Sequence, residues 1–387
     1  MTGEAISGAV GALCIVLAIG GCVYTLAAVL LLRRFARAAG EVTEPHSGVT
    51  VLKPIAGATP GLYEDLRSFC DQDYRGPVQI LFSARDSLDP AVAIAKRLIA
   101  ERPGSDLEIV LHGPARGSNP KVANLAGLEH WIRHDIVVLA DADIAVTPDY
   151  LRHTVAALAQ PDVGAVTLLY HGIARGGVWA RLVTMGIDYH FVPSIVVGLA
   201  LGAARPCFGS TIALRREVLE AIGGFAAFAD DLADDYAIGR AVRGRGVKLA
   251  IPAFFVAHSC SEQSASELLR RELRWARTIR AVNPLGFAGS IVTHPLPLAL
   301  IGAALTGFTV NGIVLVAAAL ACRLVLQLQV DHTLRVRADR WWLVAPRDLL
   351  AFGVHVASYF VSVVNWQGRR FRVCSNGTLI GLEEPKT

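Results

Sequence analysis

The stretch Ile136-Val-Val-Leu-Ala-Asp-Ala-Asp143 decides how the chain is read. Five consecutive apolar residues fit a strand buried on both faces, and two carboxylates follow, one residue apart. In an open α/β sheet, ligands bind beyond the carboxyl ends of the strands. Paired carboxylates there suit a hard divalent cation, which commonly brings a substrate diphosphate with it. Taken alone, Asp-Ala-Asp also reads as an acidic turn, so the rest of the chain has to supply the other parts.

Similar strands precede it. Val49-Thr-Val-Leu-Lys53 reads as a strand stopped by Pro54, Val78-Gln-Ile-Leu-Phe82 as a second ending near Asp86, and Leu107-Glu-Ile-Val-Leu111 as a third. Helical spacing over residues 60–72, 90–100 and 120–132 alternates with them, and residues 150–159 and 163–169 continue as helix and strand. This alternation predicts βαβ units and a parallel sheet in an α/β unit over residues 45–285. No G-x-G-x-x-G follows the first strand and no G-x-x-x-x-G-K-[ST] occurs, which argues against a dinucleotide site or a P-loop. A nucleotide bound here would have its phosphates held by metal and basic side chains.

The 387 residues are 53% hydrophobic and only 18% charged, against roughly 25% charged in soluble domains. Mean hydropathy is +0.45, and the chain reads as partly membrane-embedded. A net charge of +4 is mild and gives no sign of a nucleic-acid partner. Residues 10–32 carry no charge, and Arg33, Arg34 and Arg37 follow, which predicts a retained anchor within residues 1–44 and a cytosolic domain after it. Between Arg280 and Arg323 the only Asp, Glu, Lys, Arg or His is His294. Asn311-Gly312 is a turn signal there, so two membrane helices are predicted, over 295–309 and 312–330. A third apolar segment, 349–366, has Arg335, Arg337 and Arg340 before it and Arg369, Arg370 and Arg372 after it. A crossing helix and an in-plane or re-entrant one are both open. Residues 286–387 thus form a C-terminal region of membrane or interfacial helices and a tail. The seven cysteines show no metal-ligand spacing and fit free thiols in a reducing compartment. Asn376-Gly-Thr378 matches a glycosylation sequon that a cytosolic or bacterial location would leave idle.

Three further features carry chemistry. Asp86, at a strand end, suits a hydrogen bond from a nucleoside base or ribose, or else a turn before Pro90. Asp230-Asp-Leu-Ala-Asp-Asp-Tyr236 crowds four carboxylates into six residues. Their repulsion raises the pKa of some members, as a base that deprotonates a hydroxyl requires; an acidic helix start is the plainer alternative. Arg270-Arg-Glu-Leu-Arg-Trp-Ala-Arg-Thr-Ile-Arg280 puts Arg270, Arg274 and Arg277 on one helical face, with Arg271 and Trp275 close together on another. Guanidinium groups match phosphate oxygens, and a basic juxtamembrane helix touching headgroups fits equally.

In order and spacing, Asp86, Asp141-Ala-Asp143, Asp235 and Arg271-x-x-Arg274-Trp275 resemble the four motifs of processive and lipid-directed family 2-type glycosyltransferases. The closer resemblance is to the ceramide glucosyltransferase family, glycosyltransferase family 21, over nearly the whole chain. Leu52-Lys-Pro54, Asp86-x-x-Asp89-Pro-Ala91, Asn119-Pro-Lys-Val-Ala-Asn-Leu125, Asp234-Asp-Tyr236 and Trp366-x-x-Arg369-x-Phe371-Arg372 support it. Phe208-Gly-Ser-Thr-Ile-Ala-Leu-Arg215 and Arg274-Trp-Ala-Arg-Thr-Ile-Arg280 look most like the bacterial hopanoid-biosynthesis branch. Arg271 stands where many relatives have Gln, and Asp143 supplies a second carboxylate that animal ceramide enzymes lack.

The resemblance implies a GT-A-like domain with N- and C-terminal membrane helices, on the cytosolic side of a bacterial inner membrane. It implies an inverting transfer from a UDP-sugar, UDP-N-acetylglucosamine for that branch, to a hydroxyl of a hopanoid such as bacteriohopanetetrol. Ceramide with UDP-glucose, and a polyprenyl-phosphate acceptor, are the alternatives. In this scheme Asp86 contacts uridine, and Lys53 and Lys121 contact nucleotide or phosphate. Asp143, with Asp141 beside it, holds Mg²⁺ or Mn²⁺ on the diphosphate. Arg271 and Arg274 assist the leaving group, Trp275 shapes the acceptor side, and Asp235 is the general base.

Overall fold

The computed structural model describes residues 3–38, 45–112, 118–231, 233–336, 341–361, 363–366, 369–373 and 379–381. Arg337, Arg340, Cys374 and the Asn376-Gly-Thr378 sequon lie outside the described residues. In chain order the strands of the α/β unit are β1 (Val49–Pro54), β2 (Val78–Ala84), β3 (Asp106–Leu111), β4 (Ile136–Leu139), β5 (Ile144–Ala145), β6 (Val163–Thr167), β7 (Leu169–Ala174), β8 (Ile212–Arg215), β9 (Lys248–Ala250) and β10 (Phe255–Cys260). Seven of them form one sheet in the order β3-β2-β1-β4-β8-β6-β9, and the other three form a small sheet, β5-β10-β7.

Strand parity builds the layers. Val49, Val51, Ile136 and Val138 face one core with Leu66, Phe69, Ala95, Leu98 and Val155, from the helices Leu62–Cys70, Pro90–Ala100 and Tyr150–Leu158. Leu52, Val137 and Leu139 face the opposite core, with Val122, Leu125, Leu219 and Ile238 from the helices on that side. Burial on both faces explains why β4 is apolar throughout.

The expected all-parallel sheet needs correction. β1, β2, β3 and β4 are parallel, but β8 lies antiparallel between β4 and β6. A reversed strand starts at the edge where its neighbours end. It therefore brings the Phe208–Thr211 loop to the carboxyl ends of β1 and β4. The single strand expected over 163–169 is two: the chain leaves β6 at Thr167 and enters β7, in the other sheet, at Leu169.

Three helices among the described residues are long and apolar enough to cross a membrane: Glu4–Arg37, Val178–Ala200 and Val310–Leu334. The second was not read from sequence, because Arg181, Asp188 and His190 interrupt its apolar run. It continues through a π-helical turn at Ile187–Phe191. Its residues Val192, Val196 and Val197 share a core with Ala28, Leu32, Leu326 and Val330 of the other two.

The expected turn at Asn311-Gly312 lies inside a helix instead. The break falls at Gly307 and Phe308, with φ of 76° and 51°, and Thr309 caps the next helix by accepting from the Gly312 N–H at 3.3 Å. Helix Pro295–Leu305 meets Pro284–Thr293 at a bend of 70°. The third apolar segment has no helix among the described residues long enough to meet the length of a bilayer core. Its helix, Val344–Ala357, has 14 residues, or about 21 Å, too short for a bilayer core. A hairpin follows, β11 (Val363–Trp366) with β12 (Arg369–Val373), extended by β13 (Leu379–Gly381).

Gly172 in β7 lets the strand touch helix Val178–Gly186: a Cβ there would sit 2.6 Å from Thr184 Cβ and 2.7 Å from its Cα. Gly172→Ala should therefore destabilise by about 1–3 kcal/mol. A lowered thermal midpoint in detergent is the expected reading, and an unchanged one would show that the helix moves away freely.

Candidate active site

One cleft of about 580 Å³ opens at the carboxyl ends of the strands. Asp86, Lys121, Asp141, Asp143, Asp235, Arg271, Arg274 and Trp275 all line it. These residues come from strand ends, helix starts and one helix face, spread over nearly two hundred positions. Of the residues given a site role by the resemblance, Lys53 alone does not line the cleft.

The acidic turn after β4 is held by its backbone. Asp141 N–H donates to the Gly209 carbonyl at 3.2 Å, and Ser259 N–H donates to the Asp143 carbonyl at 2.8 Å. Lys53 lies fully buried beneath this turn. Its Nζ donates to the Asp141 carbonyl at 2.5 Å and sits 3.8 Å from the centre of the Phe69 ring. Burial pushes the ammonium down to about 7, against the pull of the Asp141, Asp143 and Asp65 carboxylates. Placed so, Lys53 supports the turn from below.

Lys121 stands in the cleft at the start of a short helix. Pro120 opens that helix, and Asn119 Oδ1 caps it by accepting from Lys121 N–H at 3.0 Å and Val122 N–H at 3.2 Å. Lys121 Nζ lies 2.7 Å from Asp141 Oδ1 and 3.0 Å from Asp234 Oδ2. Burial alone would lower its pKa, but Asp141, Asp234 and Asp235 outweigh that and raise it.

The acidic run divides its members. Asp230 accepts from Ser118 N–H at 2.9 Å, and Asp234 is buried beside Lys121. Asp235 faces the cleft, with Oδ2 accepting from Gly209 N–H at 3.1 Å and Oδ1 from Tyr236 N–H at 2.8 Å. Burial, and then the neighbouring Asp234 carboxylate, pushes Asp235 up to about 6. A Cβ at Gly209 would stand 2.7 Å from Asp141 Oδ2 and 2.9 Å from Lys121 Nζ, so a side chain there would push these two groups aside.

The arginine helix, Ala265–Val282, starts with Ser264 accepting from Glu267 N–H at 3.3 Å while Glu267 accepts from Gln263 N–H at 2.8 Å. Arg271, Arg274, Trp275 and Thr278 point into the cleft, at the i, i+3, i+4, i+7 spacing of one face. The expected grouping of Arg274 with Arg270 and Arg277 is corrected: Arg270 is exposed and Arg277 is buried elsewhere. Arg271 stacks over Trp275, 4.6 Å from ring centre to guanidinium carbon, and pairs with Glu262 and His258. Asp86 is exposed at the rim, where Oδ1 accepts from Leu88 N–H at 2.9 Å.

His258, in β10, escaped the sequence reading. A lone histidine in the apolar run Phe255-Val-Ala-His-Ser-Cys260 looks like a core residue. Its Nδ1 lies 3.5 Å from Asp143 Oδ1, a buried oxygen with no hydrogen-bond partner among the described residues. Burial, with Arg271 beside it, pushes the imidazole down to about 3, so the ring is neutral. A neutral imidazole and an unsatisfied carboxylate oxygen fit a divalent cation. Among the described residues no group of three or more His, Cys, Asp or Glu is arranged around one point. Two protein ligands leave the remaining positions to phosphate oxygens and water, as Mg²⁺ sites commonly do.

The model of glycosyl transferase family 21 matches residues 13–379. Ceramide glucosyltransferase 1 of Caenorhabditis elegans is 27% identical over 238 residues, covering 61% of this chain and 51% of that protein. Ceramide glucosyltransferase 3 of the same organism is 27% identical over 266 residues, covering 68% and 58%. The chain thus spans little more than half the length of these curated relatives. Among solved structures, the mannosyltransferase PcManGT from Pyrobaculum calidifontis, in complex with GDP-Man and Mn2+, aligns with a TM-score of 0.55 at 20% identity, covering 91% of this chain and 98% of that one. That likeness shows the GT-A-like fold.

His258→Ala should weaken Mn²⁺ binding by at least about 10-fold. Electron paramagnetic resonance of free Mn²⁺ reads this without turnover, and parent-like affinity would remove His258 from the site.

Proposed function

The chain belongs to glycosyl transferase family 21, and on that footing we propose that it moves a sugar from a UDP-sugar to a hydroxyl of a membrane lipid. The observation that carries the reading is the meeting of Asp86, Asp143, Asp235, Arg271 and Arg274 in one cleft, in a chain with helices apolar enough to cross a bilayer. The acceptor we favour is a hopanoid with UDP-N-acetylglucosamine as donor, from the Phe208–Arg215 and Arg274–Arg280 sequences. Ceramide with UDP-glucose is the second reading, favoured by the names of the curated relatives. A phosphate acceptor would need no strong base, and the shifted Asp235 carboxyl argues against it. The proposed setting is a bacterial inner membrane with the catalytic unit on the cytosolic face.

Asp86 receives the uridine at the rim. Asp143 and His258 would hold Mg²⁺ or Mn²⁺, with Asp141 adjacent and fixed by Lys121. Once bound, the cation offsets charge on the departing diphosphate. Arg271 and Arg274 add two further cations on the same side. Asp235 takes the proton from the lipid hydroxyl as that oxygen bonds to the anomeric carbon. The bond from that carbon to the phosphate oxygen breaks, and UDP leaves with its electron pair. One displacement inverts the centre, so an α-linked donor gives a β-glycoside. Trp275 lines the acceptor side.

The defining assay is UDP release from each donor with bacteriohopanetetrol or ceramide in mixed micelles containing Mg²⁺, followed by mass measurement of the product. Glycolipid formation abolished by EDTA is expected. No release with any pairing, or release indifferent to EDTA, would count against the proposal. Asp235→Asn should lower kcat by about 10²–10⁴ while UDP binding persists. The base must be ionised and its pKa stands near 6, so turnover should fall as pH drops through about 6 and stay level just above it. The Asn variant should lack that limb; if it keeps the limb, another group is the base.

A further inference from the structure

The C-terminal helix Val344–Ala357 carries two buried charged residues side by side, Arg347 and Asp348, 4% and 1% exposed. Asp348 receives Arg323 through two hydrogen bonds, Nε to Oδ2 at 2.7 Å and Nη2 to Oδ1 at 2.9 Å. Arg323 stands within the apolar helix Val310–Leu334, and its Nη2 also donates to the Tyr189 carbonyl at 3.1 Å. His190 Nε2 completes the knot, 3.0 Å from Asp348 Oδ1. Arg347 reaches the other way, with Nη2 donating to Glu272 Oε1 at 2.6 Å. Glu272 sits on the arginine helix between Arg271 and Arg274. Arg347 Nε and Nη1 are buried without a hydrogen-bond partner among the described residues, so Glu272 carries the polar link. Gly186 leaves room for the passage, since a Cβ there would collide with the Arg347 guanidinium.

Burying two ion pairs is a poor route to stability, because desolvation offsets most of the attraction and apolar replacements often do as well. What such pairs supply is a fixed relative position. We infer that Arg347 and Asp348 are positioning residues that lock the arginine helix to the membrane helix Val310–Leu334, holding Arg271, Arg274 and Trp275 at the cleft. The inference rests on the reading of Arg271 and Arg274 as cations for the leaving diphosphate. A misplacement of about 1 Å in such groups can cost about 10²-fold in rate.

The test uses the full chain in detergent, with Arg347→Met, Arg347→Lys and Glu272→Gln. Arg347→Met and Glu272→Gln should each lower kcat about 10-fold, with donor KM moving less than about threefold. Arg347→Lys, which keeps the charge, should recover at least half of the loss. Amide exchange over residues 265–282 should quicken about 10-fold in the Met and Gln variants while the β1–β4 core stays protected. Glu272→Gln keeps the size and polarity of the side chain, so it decides the matter if Arg347→Met does not fold. Parent-like kcat and exchange in Glu272→Gln would overturn the inference, and so would equal losses in kcat and donor affinity. If the parent turns over no UDP-sugar at all, the proposed function fails, and the exchange measurement still judges the clamp.

Discussion

The site depends on a half-buried cation, Lys121, among crowded carboxylates. Asp141, Asp234 and Asp235 converge on Lys121, whose Nζ touches the first two at 2.7 and 3.0 Å. Without substrate, such a cluster repels itself, and burial magnifies the repulsion. Lys121 offsets it from a helix start that Pro120 and Asn119 fix in place. Lys53 does the same from beneath, through the backbone of the acidic turn. With the two lysines beside it, Asp143 lines the cleft with an oxygen that has no hydrogen-bond partner among the described residues, the condition that the proposed cation and diphosphate would require.

The cleft was largely legible in the sequence because its residues occupy positions that topology fixes. Asp86 and the Asp141–Asp143 turn follow parallel strands whose registers align Leu52 with Leu139 and Lys53 with Phe82, so their ends must be neighbours. The place of Lys53 beneath the turn, and not along the cleft, was not read for want of parity. Lys53 shares the face of Val49 and Val51, which is packed against Phe69, and only its long stem brings the ammonium back to the turn. His258 was illegible for a different reason: the partner that gives it meaning, Asp143, is more than a hundred residues away and meets it only through pairing of β5 with β10. Likewise, nothing local announces that β8 runs antiparallel. Its reversal is set by pairing with β4 and β6, and it places Gly209 against Asp141 and Asp235.

The membrane elements show where hydropathy stops being a sufficient guide. Glu4–Arg37 and Val310–Leu334 are long and apolar, and the composition of the segments pointed to them. Val178–Ala200 is of comparable length but carries Asp188, whose Oδ1 accepts from Gly172 N–H at 2.8 Å. That bond satisfies a carboxylate inside an apolar helix and ties the helix to β7. The same strand bears Tyr170, which stacks on Phe191 at 4.7 Å and approaches the His258 ring at 5.5 Å. Polar residues that make this helix look unlike a membrane segment are therefore what join it to the catalytic unit.

A lipid acceptor imposes a requirement that soluble acceptors do not. Its hydroxyl would stay near the headgroup plane, so the proposed function asks that the α/β unit be held at one height and tilt relative to the bilayer. Apolar packing alone resists separation well but sliding poorly, because dispersion contacts are non-directional and many registers bury similar area. Hydrogen-bonded pairs between helices discriminate among registers, since a slipped one strands a charge in an apolar interior. Arg323 with Asp348 ties helix Val310–Leu334 to helix Val344–Ala357, and Arg347 with Glu272 ties that helix to the arginine helix. The buried charges in the C-terminal region thus resemble Lys53 beneath the cleft and Lys121 within it: under the proposed function, each holds a group that the transfer needs in a fixed position.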